Sequence, residues 1–282
     1  MGYGLVAPSL LLFALVYLYP VAYSAWVSFY EWDLAMPARW VGAANYQALA
    51  SPEFWDVVAN TVKYSVGVVL LSQALGLVLA VLLNDRTRLG AVLQASIFSS
   101  YVVSWVAVSL LWIWLLDPQY GLVAYLFRLA GLPALNWLGD HRLALWSLVL
   151  VTVWKSVGYP MVIYLAGLQA IPGDLYEAAA LDGAGAWQRF RHVTWPLLTP
   201  TTLFLLITLT ITSFQGFDIV KIMTQGGPVT STVIYVYYIY EQAFQYFKLG
   251  QASAAVVLFF TVIVALTFAQ WLVFRRRVHY TA

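Results

Sequence analysis

The 282-residue sequence predicts an all-α membrane protein with six transmembrane helices. Three observations carry this: 62% of residues are hydrophobic against 9% charged, mean hydropathy is +0.80, and the apolar residues fall in long uninterrupted runs. A soluble domain has about 25% charged residues, so this chain cannot clothe a water-facing surface. Disorder is excluded by the same numbers, because disordered chains are poor in apolar residues and rich in charge. The runs are far longer than the roughly 10-residue alternating strands of a membrane barrel, which leaves helices.

A hydrocarbon core about 30 Å thick needs roughly 20 apolar helical residues, with every backbone polar group satisfied within the segment. Six stretches qualify: residues 5–29, 62–84, 91–116, 145–170, 197–223 and 253–274. The first reads as a retained helix rather than a signal peptide. No Lys or Arg precedes Arg39, and the run exceeds a 7–15-residue signal core. Between the first two spans, Ser51, Pro52 and Glu53 form an N-cap, a first-turn proline and a first-turn acid. They predict a short outer helix carrying Phe54, Trp55 and Val58 at the interface or as a plain connector. The fourth span carries Lys155 and Pro160 inside its apolar run.

Lys and Arg in short loops favour the cytoplasm. An inside N-terminus places Arg86, Arg88, Arg189, Arg191 and Arg275 to Arg277 in the cytoplasm, against Arg39, Arg128, Arg142 and Lys248 outside. Both termini are therefore expected to be cytoplasmic.

A net charge of +2, with no basic cluster beyond Arg275 to Arg277, argues against a nucleic-acid partner. The absence of cysteine removes disulfides and thiolate metal sites. His141, His192 and His279 are scattered, and no hydrolase or metalloprotease motif occurs, so neither catalytic nor metal-ligating residues are predicted. Lys63, Lys155, Lys221 and Lys248 all lie outside Gly-rich turns, which excludes a phosphate-binding loop.

The one long inside loop, residues 171–196, encodes a helix, a turn and a helix. Asp174 at the start and Glu177 three residues on resemble a capping box. Gly183 supplies the positive φ that ends the first helix just after Asp182. A second helix over residues 186–193 places Trp187, Phe190 and Val193 or Thr194 on one side and Arg189 with His192 on another, and Pro196 breaks the chain before the fifth span. Ala178, Ala179 and Ala180 leave the first helix almost bare, which suits docking into a groove. A self-packed hairpin, with Glu177 serving only as a cap, fits the same residues.

The run Glu177-Ala178-Ala179, Asp182-Gly183-Ala184, Phe190 and Val193-Thr194-Trp195-Pro196 resembles the EAA loop of binding-protein-dependent ABC importer permeases. The family spacing is EAA, three residues, Gly, nine residues, Ile-x-Leu-Pro; here Val193 and Trp195 stand for Ile and Leu. Further likeness runs through Tyr19-Pro20, Asn60-Thr61, Gly226-Gly227-Pro228 and Gly250 to Ala254. It is specifically to MalF-type carbohydrate permeases, without the large outer domain that some of them carry. The resemblance implies a type I ABC importer permease fold over residues 1–282, with the coupling loop at 171–196, in a bacterial or archaeal cytoplasmic membrane.

It further implies a second, homologous MalG-type permease, two cytoplasmic ATPase subunits that bind the ATP, and an extracytoplasmic solute-binding protein. Membrane lipid surrounds the assembly, and no cofactor is held by this chain itself. The residues implied to meet the ATPase are Asp174, Glu177, Ala178, Ala179, Asp182, Gly183, Arg189, Phe190 and Pro196.

For the solute path, polar groups inside spans are the first suspects, because burying them in hydrocarbon is costly. Thr208, Thr212, Gln215 and Asp218 follow spacings of four, three and three, one face of a helix. Lys155 and Tyr159 lie one turn apart on span four. Such groups suit a hydroxyl-rich sugar, while the same Thr and Gln types also join packed helices. A glycerol-phosphate or polyol permease is the nearest alternative, disfavoured by the scarcity of buried cations. An ion-coupled secondary carrier would need a coupling-ion site and usually an internal repeat, and no repeated hydropathy block is visible. A purely structural membrane subunit is the remaining alternative.

Overall fold

The computed structural model describes residues 2–85 and 87–274. Arg86 and Arg275 to Arg277, which carry much of the orientation argument, lie outside the described residues.

Helix α1 (Gly2–Phe13) runs through a π-helical turn (Ala14–Leu18) into α2 (Tyr19–Val27). Strands β1 (Tyr30–Glu31) and β2 (Arg39–Trp40) pair antiparallel, Tyr30 opposite Trp40. Then come α3 (Ala44–Ala48), α4 (Pro52–Leu82), α5 (Arg88–Val102), α6 (Trp105–Leu115), α7 (Leu122–Leu129), α8 (Ala144–Ser156) and α9 (Gly158–Gln169). The loop region holds α10 (Gly173–Leu181), α11 (Ala186–Arg189), a second π-turn (Phe190–Thr194) and α12 (Trp195–Leu197). Helices α13 (Thr199–Ser213), α14 (Phe217–Met223), α15 (Tyr235–Tyr240), a third π-turn (Glu241–Gln245) and α16 (Leu249–Phe274) complete it.

Three unbroken helical stretches are long and apolar enough to cross a bilayer: Val6–Val27, Pro52–Leu82 and Leu249–Val273. Three more qualify as bent pairs: α5 with α6 at 101°, α8 with α9 at 45°, and Ala186–Leu197 with α13 at 62°. Each pair counted as one crossing gives six.

The predicted third span is therefore not one helix. Val103 and Ser104 take extended conformations (ψ 142° and 140°), and the Ser104 hydroxyl accepts from the Val106 amide at 3.3 Å to start α6. The predicted fifth span also breaks, after Ser213. Gln215 lies in the turn and Asp218 on a new helix, so the expected continuous face from Thr208 to Asp218 does not exist as one helix. Gly216 makes this turn against Tyr64: a Cβ there would sit 2.8 Å from the Tyr64 hydroxyl. Ser51 does cap as expected, receiving the Phe54 amide at 3.3 Å, but the helix it opens continues straight into the second span. No proline or glycine punctuates residues 53–66, so nothing stops it.

The chain forms two compact units. The first comprises residues 1–59 and 235–266. It is knotted by Asn45, whose buried amide donates to the carbonyls of Ser28 (2.8 Å) and Tyr30 (2.9 Å), and by Tyr235, whose hydroxyl donates to Ala255 O at 3.0 Å. Phe54 packs edge-on against both Tyr235 and Tyr238.

The second unit comprises residues 60–234 and 267–282. Its core joins α4, α9 and α13 through Val69, Met161, Tyr164, Leu165, Leu205 and Leu209. Two of its polar side chains pair across helices: Gln73 donates to Thr202 O at 2.8 Å, and Gln270 to Thr210 Oγ1 at 3.0 Å.

Candidate functional site: a polar cavity and a helix-turn-helix loop

Within the second unit, α4, α5, α6, α8, α9 and the α13–α14 turn surround a cavity of about 500 Å³. Five of the six residues expected to line a solute path meet there: Tyr159, Thr208, Thr212, Gln215 and Asp218. The broken helix does not scatter them: Asp218, on α14, still lines the same cavity as Thr208 and Thr212 of α13. Thr208 and Thr212 each donate to a carbonyl one turn back, Phe204 O at 2.9 Å and Thr208 O at 3.0 Å. Their oxygens keep lone pairs for a donor in the cavity.

The remaining walls were not anticipated. Tyr64 and Thr152 join their hydroxyls at 2.8 Å, Ser156 stands one turn from Thr152, and Tyr101 stacks on Tyr159 with centroids 5.5 Å apart. Trp105 completes the aromatic side. Thr152, Ser156 and Tyr159 follow a spacing of four and three, a periodic signal present in the sequence. Tyr64, Tyr101 and Trp105 give no such signal, being three aromatics among many. Lys155 is not among the lining residues. It is 3% exposed and lies behind Tyr101 and Trp105, with Nζ 2.8 Å from Tyr101 O and 4.7 Å from the Trp105 ring centre.

The loop at 171–196 folds as helix, turn and helix. Its first helix starts earlier than expected: Pro172 occupies the N-cap, Gly173 is already helical and Asp174 makes no capping bond. Pro172 holds φ at −59° and leads directly into the helix, so Asp174 sits in the first turn, where its charge favours the helix dipole. Glu177 then falls beyond N3, and no capping box forms.

Gly183 behaves as expected. At φ +79° it closes a Schellman motif, with Ala184 N bonded to Ala179 O at 2.9 Å and Gly183 N to Ala180 O at 3.0 Å. Nothing lies within 4 Å of a Cβ built there, so the requirement for glycine is conformational.

The second helix is held to the first by Tyr176 and Thr194, hydroxyl to hydroxyl at 3.0 Å. Gln188 reaches back to accept the Gly185 amide at 2.8 Å. Pro196 does not break the chain. The π-turn before it, closed by Trp195 N to Phe190 O, relieves the clash a proline makes with the carbonyl four residues back. The turn of 62° comes instead at Leu198, before Pro200.

Arg189 and Phe190 are half-buried and line a pocket of about 350 Å³ with Tyr176 and Thr194, so the expected separation of Arg189 from Phe190 does not occur. Glu177, Ala178, Asp182 and Gly183 are exposed, as is Asp174, while Ala179 and Pro196 are half-buried. Two large apolar side chains stand out into solvent, Leu181 at 90% and Trp187 at 70% exposure, the latter stacked on Phe190. Just past the end of the α5–α6 pair, the α6–α7 connection is fixed by Asp117, whose carboxylate accepts the Tyr120 and Gln119 amides at 2.7 and 2.8 Å and is thereby held below its ordinary pKa.

Residues 73–280 match the family described as the inner membrane component of binding-protein-dependent transport systems. The trehalose/maltose transport system permease protein MalF of Thermococcus litoralis is 35% identical over 272 residues, covering 95% of this chain and 91% of that protein. The sn-glycerol-3-phosphate transport system permease protein UgpA of Brucella abortus is 34% identical over 282 residues, covering 99% and 96%. A crystal structure of a bacterial alginate ABC transporter, in complex with a pentasaccharide-bound periplasmic protein, superposes with a TM-score of 0.86 at 23% identity, covering 99% of this chain and 96% of that one. That superposition shows the same fold, the type I ABC importer permease fold. The chain belongs to the family of inner-membrane components of binding-protein-dependent transport systems, as an ABC importer permease and not an enzyme.

Proposed function

We propose that this permease passes a neutral sugar or oligosaccharide through the cavity between α4, α8 and α13. The observation that carries this reading is the lining itself: hydroxyls of Tyr64, Thr152, Ser156, Thr208, Thr212 and Ser213, the Gln215 amide, the four rings of Tyr64, Tyr101, Trp105 and Tyr159, and one carboxylate, Asp218, with no Lys or Arg among them. Hydroxyl and amide groups exchange hydrogen bonds with a polyol, and ring faces accept sugar C–H faces. An anionic solute such as a glycerol phosphate would meet a like charge at Asp218.

In this reading the chain is one permease body over residues 1–282 with cytoplasmic termini. A MalG-type permease completes the path, two ATPase subunits dock at residues 171–196, and an extracytoplasmic binding protein delivers the solute. One relative supports it, being named for trehalose and maltose.

The test is uptake by the reconstituted complex, comparing maltose and trehalose with sn-glycerol-3-phosphate. Uptake of the neutral saccharides is expected; uptake of the phosphate alone overturns the reading. Replacing Gln215 and Asp218 together with Ala is expected to raise KM about tenfold or more, from two lost polar contacts of about 1 kcal/mol each. Unchanged KM with normal assembly would remove both from the path.

Gly183 supplies a second test, aimed at the loop. A β-branched side chain at φ +79° costs about 1–2 kcal/mol, whereas Asn tolerates that region. Gly183→Val is therefore expected to cut solute-stimulated ATPase activity about tenfold, at 1.4 kcal/mol per decade. Gly183→Asn should retain most of it. Equal activity of the two variants would show that the turn does not set the docking geometry.

A further inference from the structure

Helix α5 stops inside an apolar stretch. Its last carbonyls have no following turn to accept from, and in hydrocarbon no water replaces it. Lys155, on α8, supplies the missing donor: its Nζ lies 2.8 Å from Tyr101 O and 3.5 Å from Ser100 O. The arrangement is reciprocal, since the Ser100 hydroxyl lies 3.2 Å from the Lys155 carbonyl. The ammonium also sits 4.7 Å from the centre of the Trp105 ring and 5.6 Å from that of Tyr101. A cation at a helix C-terminus is favoured by the helix dipole, and over a ring face by the ring quadrupole. Among the described residues no carboxylate pairs with it. Among the described residues, the two carbonyls and two rings are the groups that meet the ammonium, and they offset the cost of burying a lysine to 3% exposure in a spanning segment.

The two rings it holds are cavity walls, and they flank the 101° break at Val103–Ser104. We propose that Lys155 is a positioning residue: it caps the end of α5, locks the α5–α6 break and so fixes the Tyr101–Trp105 aromatic wall against which the solute packs, without touching the solute. This rests on the reading of the cavity as the solute path.

The experiment uses the assembled transporter labelled with 5-fluorotryptophan, the Trp105 fluorine resonance being assigned by its loss in Trp105→Phe. Lys155→Met is expected to shift and broaden that resonance while leaving most others in place, and Lys155→Arg, which keeps the donors and the charge, to restore much of it. With maltose as the probe, Lys155→Met is expected to raise KM about tenfold at little cost in kcat, the pattern of lost uniform binding. An unmoved Trp105 resonance in Lys155→Met overturns the proposal, as does collapse of all tryptophan resonances, which would make Lys155 a general packing residue. If the unaltered transporter takes up no maltose, the neutral-sugar reading fails at that step, while the fluorine spectra still decide the role of Lys155.

Discussion

Glu177→Lys is expected to abolish solute uptake while leaving the permease assembled in the membrane. Glu177 is exposed on α10, forms no hydrogen bond or ion pair within the described residues, and caps nothing, because the helix begins at Gly173. Its charge is therefore available to a partner. The neighbouring Ala178 and Ala179 keep the helix slim enough to enter a groove, and the projecting Leu181 and Trp187 supply apolar contact on either side of the turn. Removing one member of a desolvated charge pair costs about 2–5 kcal/mol, and reversing its sign adds repulsion. Docking of the ATPase should weaken by two orders of magnitude or more, about 1.4 kcal/mol per decade. The measurement is uptake together with ATPase activity in proteoliposomes: uptake at the unaltered rate would mean that Glu177 faces no cation on the ATPase, leaving the self-packed hairpin as the better account of the loop.

Gly158→Val should have the largest effect on assembly. Gly158 opens α9 at the point where it meets α5, and a Cβ there would lie 2.7 Å from the Phe98 Cα and 2.9 Å from the Ile97 carbonyl oxygen. Both neighbours are backbone, so no side-chain rotation relieves the contact and the whole of α5 must move. Small residues at such crossings let membrane helices approach closely, and overpacking costs about 1–3 kcal/mol. A displaced α5 also parts Tyr101 from Tyr159 and the Lys155 ammonium from its carbonyls. The yield of assembled complex in size-exclusion chromatography should drop several-fold, and any transporter that does assemble should show a raised KM. Normal yield and normal KM together would mean that α5 and α9 are not in contact at this point.

Features written in neighbouring residues were legible without coordinates. The apolar runs announced the crossings, since hydrocarbon thickness sets helix length. Gly183 announced its turn, because few side chains reach φ +79°. The EAA spacing located the loop, and the four-three periodicity picked out Thr208 and Thr212. Other features were hidden for identifiable reasons. The sequence around Val103 and Ser104 contains no proline or glycine and is as apolar as its flanks, so hydropathy passes over a 101° break. Asp174 resembled a cap because the spacing to Glu177 was right, yet the proline two residues earlier started the helix first. Pro196 read as a breaker because a sequence does not display the π-turn that accommodates it.

By itself the sequence determined that this chain lives in lipid, crosses it as helices and carries a family loop on one side, since composition and short-range periodicity act within a few residues of each other. Only the tertiary structure decided which polar groups share a cavity. Tyr64, Tyr101, Thr152 and Gln215 come from separate segments, and Lys155 turns from a suspected pathway residue into the donor behind the wall. The reason is that helix ends and breaks inside hydrocarbon are settled by whichever distant group satisfies their backbone, and that partner is chosen by packing in three dimensions.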